Sequence, residues 1–259
     1  VDRLEGVFVE RYDGTTADLR RIVEKHHPET VFHLAALVVG DEHRTDQIEP
    51  LIRSNITFGT QLAEACSAKP AFKFVNVGTY FERRGGSDAY DPVSLYAATK
   101  RAFSDILEYY VRATSLRAAT VCLYDTYGPG DERAKLLNLL ARHAATGETL
   151  KLSPGEQRID LLHCDDAASA FLRAEAFLSE STERRVHEWC VSSGERVSLK
   201  ALVGLFSEAT GLSPKVEFGG RPYREREVMN PWTGPALPGW KPTIPLREGL
   251  NRVYGAPRA

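Results

Sequence analysis

Phe72-Lys73-Phe74-Val75-Asn76-Val77, closed by Gly78-Thr79, is the stretch that settles the fold class. Its apolar residues run almost without interruption, the pattern of a strand buried on both faces and so of a parallel sheet covered by helices. The next periodic segment, 94–114, has helical spacing and opens with Ser94-Leu95-Tyr96-Ala97-Ala98-Thr99-Lys100. Upstream, Thr30-Val31-Phe32-His33-Leu34-Ala35 reads as another buried strand, after a helix over 18–26 that Pro28 closes. Gly6-Val7-Phe8-Val9 reads as a strand and 50–67 as a helix. Downstream, Ala118 to Tyr124 reads as a strand that the turn Tyr127-Gly128-Pro129-Gly130 ends. Short apolar runs alternating with longer amphipathic ones make βαβ units, and the expected class is α/β around a parallel sheet.

Beyond residue 132 the rhythm loosens. Helices are expected over 135–146, 165–178 and 198–210, and short strands over 160–163, 187–191 and 215–218. The tail 219–245 is rich in Pro, Gly, Arg and Trp and has no period of its own, so it is expected to wrap the molecule as an ordered loop. These segments predict a smaller lobe interleaved with the sheet.

Composition narrows the function classes. The chain has 259 residues, 42% apolar and 26% charged, enough for one large α/β core with a satellite lobe. A net charge of −2 gives no reason to expect nucleic acid as a partner. No apolar run approaches the roughly 20 residues that span a bilayer, and no basic-then-apolar signal opens the chain, so no membrane partner is expected. Cys66, Cys122, Cys164 and Cys190 lie far apart with no Cys-x-x-Cys pair. Free thiols, no metal site and a cytoplasmic location are the expectation.

Tyr96 and Lys100 stand four residues apart, on one face of their helix. A nearby ammonium favours a phenolate, so the pair is expected to lower the tyrosine pKa from about 10 and make it a proton donor or acceptor. Alone, such a pair is equally a surface contact. Thr79 adds context, because a hydroxyl at the carboxyl end of a buried parallel strand sits where open α/β sheets bind ligands. The helix then returns Tyr96 to the same edge.

Strand-end hydroxyl, loop and helix carrying Tyr-x-x-x-Lys resemble the short-chain dehydrogenases. Further motifs follow in the order of the extended branch, the epimerase/dehydratase family. They are His33-Leu34-Ala35-Ala36, Asn55 with Gly59-Thr60, Tyr127-Gly128-Pro129-Gly130, and Gly155 through Asp160 to Asp165-Asp166. Gly239-Trp240-Lys241-Pro242 and Gly249-Leu250 come last. The resemblance implies a Rossmann-like, doubly wound sheet whose cofactor half is 1–132 and whose substrate lobe is mainly 133–259. It implies NAD or NADP held by Asp13, Ala35, Ala36, Asn55, Val77, Tyr96, Lys100 and Tyr127, with Thr79, Tyr96 and Lys100 as catalytic residues. A homodimer paired through the helices 50–67 and 94–114 is also implied.

The residues after Thr79 separate the chemistries within that family. In 4,6-dehydratases the threonine is followed directly by Asp and Glu, whereas Tyr80 and Phe81 stand here. Glu82 is one residue further on, and its side chain is expected to point elsewhere. The middle of the chain and Glu227-Val228-Met229-Asn230-Pro231-Trp232 most resemble the CDP-abequose synthase-type reductases, which act on nucleotide-linked 4-keto-6-deoxyhexoses. On that resemblance Thr79 and Tyr80 contact the sugar, and Lys135, Arg221 and Arg224 meet the diphosphate. A 4-epimerase and a non-catalytic sugar-nucleotide binder are the alternatives.

The family's glycine turn, Gly-x-x-Gly-x-x-Gly, which lets backbone approach the cofactor pyrophosphate, occurs nowhere in this sequence. Val1-Asp2-Arg3-Leu4 resembles the stretch after the family's second strand, with Arg3 a hint of a 2′-phosphate contact. An incomplete reading of an ordinary enzyme and a shortened sugar-nucleotide binder both fit.

Overall fold

The computed structural model describes residues 6–39 and 42–255, so Arg3 and its neighbours lie outside the described residues. Helix α1 (Thr16–His26) starts where the Thr15 side chain accepts the Asp18 N–H, and it buries Leu19 and Val23, one turn apart. Strand β1 (Thr30–His33) follows. Helices α2 (Ile48–Ile52) and α3 (Phe58–Ser67) form one run joined by a π turn over Arg53–Thr57. Then come β2 (Lys73–Thr79), α4 (Leu95–Ala113) and β3 (Arg117–Leu123). The short strand β4 (Asp125–Tyr127) leads into α5 (Leu136–Thr146), β5 (Thr149–Leu152) and β6 (Arg158–His163). Helix α6 (Cys164–Glu180) and β7 (Val186–Val191) return to the sheet. Strand β8 (Arg196–Ser198), α7 (Leu199–Thr210), β9 (Lys215–Phe218) and α8 (Leu246–Tyr254) complete the described chain.

The main sheet has the order β1-β2-β3-β7, parallel throughout, with Phe74 opposite Val31 and Ala118. Alternation along β2 divides the core between two faces. Phe72 and Phe74 pack with Leu62, Phe103, Leu107 and Val111 beneath α1, α3 and α4. Val75 goes to the other side with Val121, Ala170, Phe171 and Leu237, under α6 and the tail. A Cβ at Gly59 would fall 2.7 Å from the Phe103 ring, so glycine there lets α3 lie close on α4. A third core, built on Leu140, Leu152, Leu202, Phe206 and Leu250, belongs to the small sheets β4-β6-β8 and β5-β9 with α5, α7 and α8.

The wrapping tail binds by its backbone: Pro235 accepts the Cys190 N–H at 2.7 Å, and Met229 accepts that of Arg158 at 2.9 Å. Three differences from the sequence reading stand out. Gly6 to Val9 is not a strand, because no described strand pairs with it, and Val7, Phe8 and Val9 are exposed. Strands β5 and β8 are too short to leave a period. Helix α8 was hidden behind the proline-rich tail, although Pro245 stands at its N-cap. All four cysteines are free thiols. Among the described residues, no helix is long and apolar enough to cross a membrane.

Candidate active site

Thr79 ends β2 and turns the chain into a 3-10 turn, Tyr80–Glu82, by accepting the Phe81 N–H on its hydroxyl at 3.3 Å. That leaves the hydroxyl hydrogen free to donate. Helix α4 then runs back from the carboxyl edge of the sheet. The Ser94 hydroxyl caps it by accepting the Ala97 N–H, which fixes Tyr96 in the first turn and Lys100 one turn on. Thr79 and Lys100 are buried, the lysine to 1% exposure, and Lys100 makes no side-chain hydrogen bond to another described residue.

Burial changes the electrostatics that the Tyr-x-x-x-Lys spacing predicts. The Tyr96 phenol is pushed up to about 12, first by loss of solvent and then by the Glu82 and Cys122 charges. Lys100 is not among the causes. The expectation of a lowered tyrosine pKa is therefore corrected: desolvation outweighs any help from the ammonium in the chain as it stands. Lys100 itself is brought down to about 8 by burial, with Glu82 pulling the other way.

Asn55 ties the cofactor side to this helix. Its amide oxygen accepts the Leu37 N–H at 2.8 Å, and its nitrogen donates to the Leu37 carbonyl and the Thr99 hydroxyl, both at 3.0 Å. The π turn carries this residue inward, a distortion often found at functional sites. Ala35 and Ala36 lie just past β1, and the register of His33 opposite Asn76 carries them toward the level of Gly78 and Thr79. Ala35 is exposed, Ala36 and Val77 half-buried.

A second cluster forms around β4. The Tyr80 hydroxyl donates to Asp125 at 3.2 Å, and its ring lies 5.2 Å from that of Tyr124. Lys135 donates to the Thr126 carbonyl at 3.2 Å, and Lys135 and Arg224 both lower the Asp125 pKa against the rise that burial imposes. The structure thus brings Tyr80, Lys135 and Arg224 together around Asp125, a residue to which the sequence reading gives no role. Three predicted residues stand apart. Asp13 is exposed and accepts the N–H and hydroxyl of Thr15 at the start of α1. Arg221 is exposed, its N–H held by Leu152 at the end of the β5–β9 ribbon. Tyr127 is buried in the lobe core with its hydroxyl against Gly249, so only its backbone is left to line the hollow beside the Gly128–Gly130 turn.

The model of the NAD dependent epimerase/dehydratase family matches residues 2–186. The chain belongs to that family. Among curated members, the CDP-abequose synthase of Yersinia pseudotuberculosis is 27% identical over 204 residues, covering 79% of this chain and 70% of the relative. The UDP-glucose 4-epimerase of Mycolicibacterium smegmatis is 26% identical over 257 residues, covering 93% and 80%. The solved structure of MoeE5 in complex with UDP-glucuronic acid and NAD superposes with a TM-score of 0.80 at 24% identity, over 95% of this chain and 83% of that one. The fold is Rossmann-like, and the chain is an enzyme of the NAD-dependent class that modifies nucleotide sugars.

The residues present fit one end of such a cofactor. A buried Lys100 with no hydrogen-bond acceptor among the described residues, one turn from Tyr96, and small side chains past β1 suit a ribose and a flat ring. The glycine turn that would hold the pyrophosphate is absent from the sequence given.

Proposed function

We propose that the protein reduces the carbonyl of a nucleotide-linked 4-keto-6-deoxyhexose, with Tyr96 as proton donor. The observation that carries this reading is the buried Thr79 hydroxyl at the end of β2, with the next helix carrying Tyr96 in its first turn and a buried Lys100 one turn on. Tyr80 and Phe81 directly after Thr79 leave no acid–base pair for dehydration at those positions. When bound, the reduced nicotinamide supplies the hydride. Thr79 donates its free hydroxyl hydrogen to the carbonyl oxygen, and the Tyr96 O–H gives its proton to the alkoxide that forms there. Lys100 orients the ribose and balances the phenolate left behind. Lys135 and Arg224, with Arg221 at greater reach, are the cations for the diphosphate. We assign the cofactor side to residues 1–132 and the substrate side mainly to 133–259.

The test is loss of reduced-nicotinamide absorbance with a panel of CDP- and dTDP-linked 4-keto-6-deoxy sugars and none without them. Consumption that no ketosugar stimulates would end the reading. A 4-epimerase is the second reading, favoured by the epimerase relative that matches nearly the whole chain. It requires interconversion of two nucleotide sugars with no net nicotinamide consumed. We also propose a homodimer through 50–67 and α4, where Ile52 and Tyr109 are exposed, to be checked by sedimentation velocity.

A further inference from the structure

Glu82 is the residue that neither the family motif nor the mechanism above accounts for. It ends the 3-10 turn that Thr79 starts and is 3% exposed. Its side chain does not point away, as the sequence reading expected. The turn is pinned on both sides: Phe81 accepts the Val93 N–H at 2.8 Å, and the Glu82 carbonyl accepts that of Asp91 at 3.0 Å. The neighbouring Arg83 is held by a two-fold ion pair with Glu188 at 3.0 Å and by the Trp232 ring, 3.7 Å from its guanidinium carbon. With Arg83 committed outward to β7 and the tail, Glu82 is left facing inward. Its carboxyl makes no side-chain hydrogen bond to another described residue.

The turn that carries that carboxyl packs on α4 and is bonded to the residues that lead into it, and several charged or titratable groups act on it. Lys100, Arg101 and Tyr96 come from α4, Cys122 from β3, Glu188 from β7, Arg83 from its own turn and Tyr90 from the loop before α4. Two of them are the proton-transfer pair. A carboxylate buried on a turn against α4 acts on the lysine and the tyrosine of that helix at low dielectric, where a charge is felt far more than in water.

We propose that Glu82 is a positioning residue for the Tyr96–Lys100 pair, a buried counter-charge that keeps Lys100 an ammonium and Tyr96 a protonated phenol between turnovers. This rests on the reading of Tyr96 as proton donor. The sign follows from charge alone: a negative neighbour makes both protons harder to remove, so Tyr96 surrenders its proton only to a strong base such as a nascent alkoxide. Burial has pushed Glu82 itself up to about 7, by loss of solvent and then by Glu188, so the counter-charge switches on near neutrality.

The test uses the full chain and reads Lys100 directly. Lysine-selective NMR, with the Lys100 signal assigned by its loss in Lys100→Met, gives the pH midpoint of that ammonium. In Glu82→Gln the midpoint is expected to fall by at least about threefold in ionisation constant, and Glu82→Asp is expected to restore most of it. An unmoved midpoint in a folded Glu82→Gln would overturn the proposal. Arg101→Gln, on the half-exposed side of α4, covers the case in which Glu82→Gln does not fold. Removing that cation must raise the Glu82 carboxyl midpoint, and no rise would count against the cluster. In the assay, the alkaline limb of the rate profile moves to lower pH in Glu82→Gln, which loss of packing alone would not cause. A midpoint that shifts in an enzyme with no turnover on any ketosugar would uphold the counter-charge and overturn the reductase reading.

Discussion

The two flanks of β2 differ in how they are held. Toward β3 and β7 the sheet is sealed on both faces: Phe74, Val75, Phe103 and Val121 have no exposure, and Thr79, Tyr96 and Lys100 stand on that packed base. Toward β1 there is a four-residue strand with one described neighbour, and Phe32 and Leu34 beside it are 37% and 55% exposed. The residues we propose for proton transfer are placed by side chains locked in a core. The stretch past β1 that we propose for the cofactor is hydrogen-bonded to α4 through Asn55, and His33 packs on Phe103 of that helix. On the proposed reading the site is rigid where bonds to hydrogen change and loosely framed where the cofactor lies.

The contrast can be broken in several ways. Tyr96→Phe has the largest expected effect, a loss of about 10²–10⁴-fold in turnover with little change in melting temperature, since the ring stays. If both fall together, the tyrosine is a packing residue. Phe74→Ala, in the sealed flank, is expected to cost about 3–5 kcal/mol in urea unfolding. Phe8, 86% exposed, is expected to cost within about 0.5 kcal/mol when changed to Ser.

Between these lies a pair of opposite pH effects. His33, on β1, is buried among Phe58, Phe74 and Phe103 with both ring nitrogens unpartnered, and burial first, then Lys100, brings it down to about 4. Its contribution is present above about 6.5 and lost as pH falls through 4. Glu82 has the reverse sign: its contribution is full below about 4.5 and lost as pH rises through 7. Each shift corresponds to about 3 kcal/mol, so wild-type stability is expected to be nearly flat between pH 4.5 and 6.5. Glu82→Gln should expose a slope rising with pH, and His33→Phe one falling with it. Two parallel curves would show that neither group titrates as its surroundings dictate. The smallest effect is in amide exchange, faster at Val31 and Phe32 than at Val75 and Asn76.

Much of this was legible in the chain because periodicity and spacing carry it. The apolar run before Thr79 marked a central strand, and Tyr96 and Lys100 lay on one face of a helix whatever surrounded them. What spacing does not carry is direction. Glu82 turns inward because Arg83 is committed to Glu188 and Trp232, partners more than a hundred residues away. Tyr127 sits in a motif that suggests the cleft, yet its ring fills the lobe core beside His163. Gly6 to Val9 had the composition of a strand, but strand composition does nothing without a neighbour to bond. The sign of the Tyr96 shift was missed for a like reason: an adjacent lysine is visible in sequence, and the depth of burial is not.

The notch at Gly249 has a consequence for how the molecule is made. A Cβ there would fall 2.0 Å from the Tyr127 hydroxyl, so α8 lies flush under β4 only with glycine at that position. Just upstream, Asp166 accepts the N–H groups of Thr243 and Ile244 and the Thr243 hydroxyl, binding the same late segment to the head of α6. The floor of the smaller lobe is thus laid by residues translated well over a hundred positions after the tyrosine they cover. During synthesis the sheet can assemble while the ribosome is still extending the chain, and the lobe is expected to close only once those residues emerge. The side we propose for substrate is then expected to close last.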